Sequence, residues 1–221
     1  MTCQPNWVST GALVLSPGIP DQYPTPNPIA AAARVADCPI ICDVDLLARA
    51  KPDANYIAVT GTNGKSTTSA LIGHILSAAG VPNQVGGNIG VPALDLGDIE
   101  GTGAYVLELS SYQLERTPSL KPNVAVLLNI TPDHLDRHGG LDGYVAAKRM
   151  IFDNPATGGH AIVGMEDGAS RGIGMELMVR GAHKITPISG SARAAGGVYG
   201  EAGILIDDME YGQVPVCDLK P

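Results

Sequence analysis

The sequence has 221 residues, enough for one large domain or one and a half ordinary ones. It is 44% hydrophobic but only 4% aromatic, which excludes wholesale disorder and leaves Ala, Val, Ile and Leu to build the core. A net charge of −8 excludes a non-specific nucleic-acid binder, which needs a basic face, but not nucleotide binding, which needs only local positive charge. The four cysteines, Cys3, Cys38, Cys42 and Cys217, lack the spacing of a redox or zinc pair. Free thiols in a cytoplasmic protein are expected. The N-terminus lacks a basic segment followed by an apolar core. No apolar run approaches the ~18 residues of a membrane span.

In chain order, Ala12-Leu13-Val14-Leu15 predicts a short buried strand ending in Ser16-Pro17-Gly18-Ile19-Pro20, a loop at a strand's carboxyl end. Such a loop is either a ligand contact or a simple turn. The alanine-rich stretch from Ile29 to Ala36 predicts a helix, and Pro39-Ile40-Ile41-Cys42 a strand. A second helix starts at Asp43 or Asp45 and ends at Lys51-Pro52. Two strands and two helices cannot cover a sheet alone, so residues 1–52 read as a partial α/β layer.

Residues 53–55 form a linker, and a larger α/β unit begins at about Tyr56. Tyr56-Ile57-Ala58-Val59 predicts a buried strand running into Gly61-Thr62-Asn63-Gly64-Lys65-Ser66-Thr67. Leu71, Ile72, Ile75, Leu76 and Ala79 predict one buried face of the helix that follows, with Gly80 as its stop. Strand, glycine turn, Lys-Ser and helix form a P-loop arrangement. Backbone N–H groups and the helix N-terminus approach phosphate oxygens, the lysine adds a full charge, and the next hydroxyl can ligate Mg²⁺. Val59 stands where the usual pattern has its first glycine.

Val81 to Val85 predicts a strand, and Gly86-Gly87-Asn88-Ile89-Gly90-Val91-Pro92 a loop. Asn88 either contacts a ligand or satisfies turn N–H groups. Tyr105 to Ser111 predicts a strand carrying Glu108 near its end. A carboxylate in an apolar run is costly unless paired or metal-bound, so Glu108 is a Mg²⁺ candidate or a helix-cap partner. Val124 to Ile130 predicts a strand that delivers Thr131-Pro132-Asp133-His134-Leu135-Asp136-Arg137-His138, a metal or phosphate constellation or a solvated acidic turn. Leu141 to Phe152 predicts a helix with Lys148 near its inward stripe, where an unpaired amine has a lowered pKa. The other reading is a snorkelling lysine. Farther on, His160 to Val163 and Ile185 to Ser189 predict strands and residues 169–181 a helix. Val198 to Val216 predicts hairpins turning at Gly200, Gly203 and Gly212.

Together, Gly-Thr-Asn-Gly-Lys-Ser-Thr, Ser-Pro-Gly-Ile, Gly-Asn-Ile-Gly, Glu-Leu-Ser-Ser-Tyr-Gln-Leu-Glu and Asn-Ile-Thr-Pro-Asp-His-Leu-Asp resemble the Mur ligases, and among them the D-glutamate-adding branch. The resemblance runs from about residue 12 to 221 and is densest from 57 to 152. It implies a P-loop central domain with a mostly parallel sheet over residues 53–221, incomplete at its C-terminal end. Before it, residues 1–52 would be part of a Rossmann-like N-terminal domain for the uridine-nucleotide substrate, and the C-terminal domain would be absent. It also implies an ATP-dependent, acyl-phosphate synthesis of an amide from UDP-N-acetylmuramoyl-L-alanine and D-glutamate, by a cytoplasmic monomer that engages neither nucleic acid nor membrane. ATP and two Mg²⁺ ions are the implied cofactors.

By the same resemblance, Gly61, Thr62, Asn63, Gly64, Lys65, Ser66 and Thr67 cradle the nucleotide. Ser16, Pro17, Gly18 and Asn88 touch the substrate. Ser66 and Glu108 hold one Mg²⁺, while His134 and a carbamylated Lys148 hold the other. Lys65, Asn88, Glu108, His134 and Lys148 carry the chemistry. His138 has no matching role and is expected on the surface. The alternative is a truncated, non-catalytic nucleotide-binding module or inactive remnant.

Overall fold

The computed structural model describes residues 5–181, 184–210 and 212–219, with the Val8 side chain outside the description. In chain order the elements are β1 (Leu13–Val14), α1 (Pro28–Val35), β2 (Ile40–Ile41), α2 (Asp43–Ala50), β3 (Asn55–Thr60), α3 (Lys65–Ala78), β4 (Asn83–Gly87), β5 (Ala104–Glu108) and α4 (Ser111–Leu114). They continue with β6 (Val124–Leu127), α5 (Leu135–His138), α6 (Leu141–Arg149), β7 (His160–Gly164), α7 (Gly168–Arg180), β8 (Lys184–Ser189), β9 (Val198–Glu201), β10 (Ile204–Asp207) and β11 (Val214–Asp218).

β1 and β2 make a two-stranded parallel sheet. The remaining strands form one nine-stranded sheet in the order β11-β10-β9-β8-β7-β6-β3-β5-β4. Pairing is parallel from β4 to β9, and β10 and β11 close one edge as antiparallel hairpins. β3 lies between β5 and β6, so the chain reverses its direction of strand addition beside the loop that follows β3. In an open α/β sheet, ligands bind at that reversal, outside the strands' carboxyl ends. The register aligns Val59 with Glu108 and Glu108 with Gly87, which brings three strand ends to one rim.

Tyr105, Val106, Leu107 and Glu108 are all buried, as a parallel strand covered on both faces requires. The core is continuous across residue 52: Cys42, Val44, Leu47 and Ala48 of the first segment pack in one cluster with Tyr56, Tyr105, Leu114 and Leu120.

Three expectations need correction. Leu71 and Ile75 of α3 are exposed, and the helix instead rests on Ser69 and Gly73. A Cβ on Gly73 would lie 2.3 Å from Val85 Cγ2, so the missing side chain sets how closely α3 seats on the sheet. Gly86 and Gly87 belong to β4 rather than to the loop, because they pair with Leu107 and Glu108. Gly200 lies inside β9, opposite Leu205, and the turn is made by Ala202 and Gly203, both with positive φ.

Among the described residues, Cys38, Cys42 and Cys217 are free thiols, and Cys3 lies outside that range. No helix among them is long and apolar enough to cross a membrane.

Candidate active site

Four strand ends supply the site. Gly64, at φ +85°, adopts the left-handed conformation that glycine tolerates and opens α3 at its N-terminus. The loop is braced from β6's end: Asn129 accepts the Asn63 N–H at 2.9 Å and donates to the Asn63 carbonyl at 3.0 Å, and its own carbonyl accepts the Thr62 N–H at 2.9 Å. Thr62 Oγ1 accepts the Thr131 N–H at 3.0 Å and sits 3.0 Å from Tyr144 Oη. Lys65 Nζ folds back onto the Thr62 carbonyl at 3.0 Å. Ser66 and Thr67 are exposed in the first turn of α3. Asn129 opens the Asn-Ile-Thr-Pro-Asp-His-Leu-Asp motif without a role assigned to it from sequence; its place just past a strand's carboxyl end beside a P-loop is the usable signal.

Glu108 ends β5 with its side chain buried, at 2% exposure. Oε1 accepts from Asn88 Nδ2 at 2.8 Å, while Oε2 is buried without a hydrogen-bond partner. An unpartnered buried carboxylate oxygen is costly and fits a cation ligand. Glu108 is not a cap partner. Ser110 and Gln113 form the capping box of α4 themselves.

Lys148 is 2% exposed and does not snorkel. Nζ donates to the Gly61 carbonyl at 2.8 Å and lies 4.8 Å from the Tyr144 ring centroid. Burial, then the positive charge of Lys65, pushes its pKa down to about 7, against a weaker opposing pull from Asp133. Much of the amine is therefore neutral near pH 7. A neutral amine can add CO₂ and release a proton to give an anionic carbamate.

His134 is exposed in a left-handed conformation (φ +50°) just before α5, with Nε2 3.4 Å from Asp133 Oδ2. His138, expected on the surface, is instead buried between the rings of Tyr112 and Tyr144. Its Nε2 lies 2.9 Å from Ser111 Oγ and its Nδ1 3.2 Å from Glu115 Oε1. The partners come from α4 and α6, so sequence spacing carries no sign of them.

No direct hydrogen bond is found between Ser66 and Glu108, or between His134 and Lys148, among the described residues. Nor do three His, Cys, Asp or Glu side chains converge among those residues. Of the expected metal residues, Glu108 alone shows an unpartnered buried oxygen, and Asp133 is the carboxylate beside His134. Sites this poor in protein ligands suit Mg²⁺, which keeps waters and takes substrate phosphates.

Beside the loop lies a cavity of about 460 Å³ lined by Asn63, Gly64, Thr68, Asn129, Glu166 and Ile188, among others. Glu166 accepts the Gly190 N–H there at 2.7 Å. Its neighbour Asp167 faces structure instead, capping α7 through the Ser170 N–H at 2.8 Å and holding the Ile130 N–H at 2.9 Å. Burial raises its carboxyl, but the Ser170 hydroxyl and then these backbone N–H groups outweigh that and hold it below the ordinary range.

Residues 59–195 match the family model described as the Mur ligase middle domain. The chain belongs to the Mur ligase family. It is 55% identical over 208 residues to the UDP-N-acetylmuramoylalanine–D-glutamate ligase of Paramagnetospirillum magneticum, covering 94% of this chain and 44% of the relative. The protein of the same name from Rhodospirillum rubrum is 51% identical over 213 residues, covering 96% of this chain and 45% of the relative. The crystal structure of UDP-N-acetylmuramate:L-alanyl-gamma-D-glutamyl-meso-diaminopimelate ligase from Neisseria meningitides aligns with a TM-score of 0.60 at 17% identity, over 87% of this chain and 64% of that one, and shows the shared fold. The chain thus spans about half the length of the curated Mur ligases it matches. The loop, which lacks the first glycine of the usual P-loop pattern, is braced by Asn129 and Thr131 from just beyond the end of β6.

Proposed function

We propose that this chain is the ATP-handling portion of a ligase that joins D-glutamate to UDP-N-acetylmuramoyl-L-alanine. The observation that carries the reading is the rim where the P-loop, the unpartnered oxygen of Glu108 and the neutral-leaning amine of Lys148 stand on adjacent strands and helices. The names of the relatives at 55% and 51% identity support the choice of D-glutamate. On this reading residues 53–221 form the central domain and residues 1–52 belong to the domain for the uridine nucleotide, as a cytoplasmic monomer.

The reaction joins two steps. A substrate carboxylate oxygen attacks the γ-phosphorus of ATP, an O–P bond forms, and the β–γ bridge breaks to leave ADP. The amine of D-glutamate then attacks the acyl carbon, expels inorganic phosphate and loses a proton as the amide forms. Both partners of the first step are anions, so positioning and positive charge supply most of the catalysis. Lys65 and the N-terminal N–H groups of α3 hold phosphate oxygens, and Lys65 exchanges the Thr62 carbonyl for them. Glu108 and Ser66 would hold one Mg²⁺. His134 and carbamylated Lys148 would hold the second. When bound there, such ions would neutralise phosphate charge and polarise the acceptor carboxylate. Asn88, fixed on Glu108, would contact the substrate's phosphates or the transferring phosphoryl group.

Calorimetric titration with Mg·ATP, beside Lys65→Ala, tests the reading. Saturable binding to the wild-type chain and none to the variant is expected. A folded wild-type chain that ignores Mg·ATP would sink the proposal, and binding without turnover would leave a nucleotide-binding module.

A further inference from the structure

The loop Ser16–Ile19 is held from outside its own segment. Arg116, with its side chain 1% exposed, donates to the Ser16 carbonyl at 2.9 Å, the Ile19 carbonyl at 2.8 Å and Asp21 Oδ1 at 2.9 Å. Arg137 donates to the Gly18 carbonyl at 2.9 Å and the Pro17 carbonyl at 3.4 Å, with its guanidinium 4.5 Å over the Tyr112 ring. All four carbonyls of the loop therefore face two cations.

The opposite side follows from peptide geometry. In a trans peptide the N–H points away from the preceding carbonyl. Pro17 and Pro20 have no N–H, and the Ile19 N–H is spent on the Ser16 carbonyl at 3.0 Å. The Gly18 N–H has no protein partner among the described residues and points away from the Pro17 carbonyl that Arg137 holds. The loop thus presents the exposed Gly18 N–H outward, with the Ser16 N–H and hydroxyl as its other unspent donors among the described residues and two guanidinium groups behind it.

We propose that Arg116 and Arg137 are positioning residues that fix this loop with the Gly18 N–H aimed at an anionic oxygen of the uridine-nucleotide substrate. The inference rests on the proposed ligase reading. Neither arginine touches the substrate. They hold the loop ordered before binding, so the ligand does not bear that cost. They also tie the loop to both chemical segments: Arg116 directly follows the Glu108–Glu115 run, and Arg137 lies three residues beyond His134.

The test titrates the chain with UDP-N-acetylmuramoyl-L-alanine and, separately, with Mg·ATP, for wild type, Arg116→Lys and the half-buried Arg137→Gln. Each substitution is expected to weaken the uridine ligand about tenfold and to leave Mg·ATP within about twofold. A purely structural role would lower both affinities together with the melting temperature, and that outcome overturns the proposal. Unchanged uridine affinity in both variants also overturns it while leaving the ligase reading intact. A wild-type chain that binds Mg·ATP but not the uridine ligand overturns the loop's assignment and this inference with it. A folded wild-type chain that binds neither overturns the ligase reading itself.

Discussion

Burial and the charge of Lys65 hold the Lys148 amine at a pKa of about 7, and this makes the residue's chemistry testable before any turnover is seen. Below pH 7 the amine is protonated in both the folded and the unfolded chain. Between about 7 and its ordinary value of 10.5, the unfolded chain holds a proton that the folded chain has released. Stability must therefore rise with pH across that window. A depression of this size corresponds to about 5 kcal/mol over the full window. Urea melts of the metal-free chain from pH 6.5 to 9.5 should show the rise, and Lys148→Met should flatten it. A wild-type profile as flat as the variant's would refute the lowered pKa. The same neutral amine should take up ¹³C-labelled bicarbonate as a carbamate resonance near neutral pH, absent from Lys148→Met.

At the scale of elements, the end of β4 decides whether Asn88 reaches Glu108. Gly87 sits at φ +101°, and a Cβ there would lie 2.5 Å from the Glu108 carbonyl oxygen, the acceptor of the Asn88 N–H. Gly87→Ala should therefore cost about 2 kcal/mol and weaken Mg·ATP as well, because it pushes the strand ends apart. Gly172→Ala, in the exposed face of α7 with open space around it, should instead stabilise by about 0.5–1 kcal/mol. Urea midpoints for the pair check both signs, and a stable, fully binding Gly87→Ala would remove the strand-end account. The elements themselves were legible where pattern is local. The P-loop strand and helix, the strand ending at Glu108 and the helix of Lys148 all follow from runs and periodicity within ten or so residues. What failed was long-range. The faces of α3 were misjudged because Ser69 and Gly73, not Leu71 and Ile75, fit under the sheet's approach. His138 was read as exposed because its ring partners, Tyr112 and Tyr144, come from other helices. Arg116 carries no local sign of its role, because the fold brings Ser16 and Ile19 to it from about a hundred residues away in sequence.

For the whole molecule the question is whether the first fifty residues are a separate folding unit. A chain of 221 residues with two sheets would ordinarily be expected to melt in more than one step. The contacts across residue 52 argue otherwise. Val44 and Leu47 lie in the same apolar cluster as Tyr56 and Leu120. Asp45, fully buried, accepts the Ser119 N–H at 2.7 Å, and the Cys42 N–H bonds the Arg116 carbonyl at 3.1 Å. Tyr56 Oη donates back to the Lys51 carbonyl at 2.8 Å. Opening the first segment would strip the Ser119 N–H from Asp45, unpair Arg116 from Asp21 and expose apolar surface on both sides, together a cost of several kcal/mol. The chain should therefore unfold in one transition, with calorimetric and van't Hoff enthalpies equal. A chain starting at Asp53 should lose several kcal/mol, which at this size lowers the melting temperature by roughly 10 °C or more. Scanning calorimetry of the two chains decides it: two resolved transitions in the longer one, or an unchanged melting temperature in the shorter, would mean that the segments are joined but do not stabilise one another. With one transition, the loop at Ser16 and the phosphate loop at Gly61 share a single frame, as the proposed reaction between two bound anions requires.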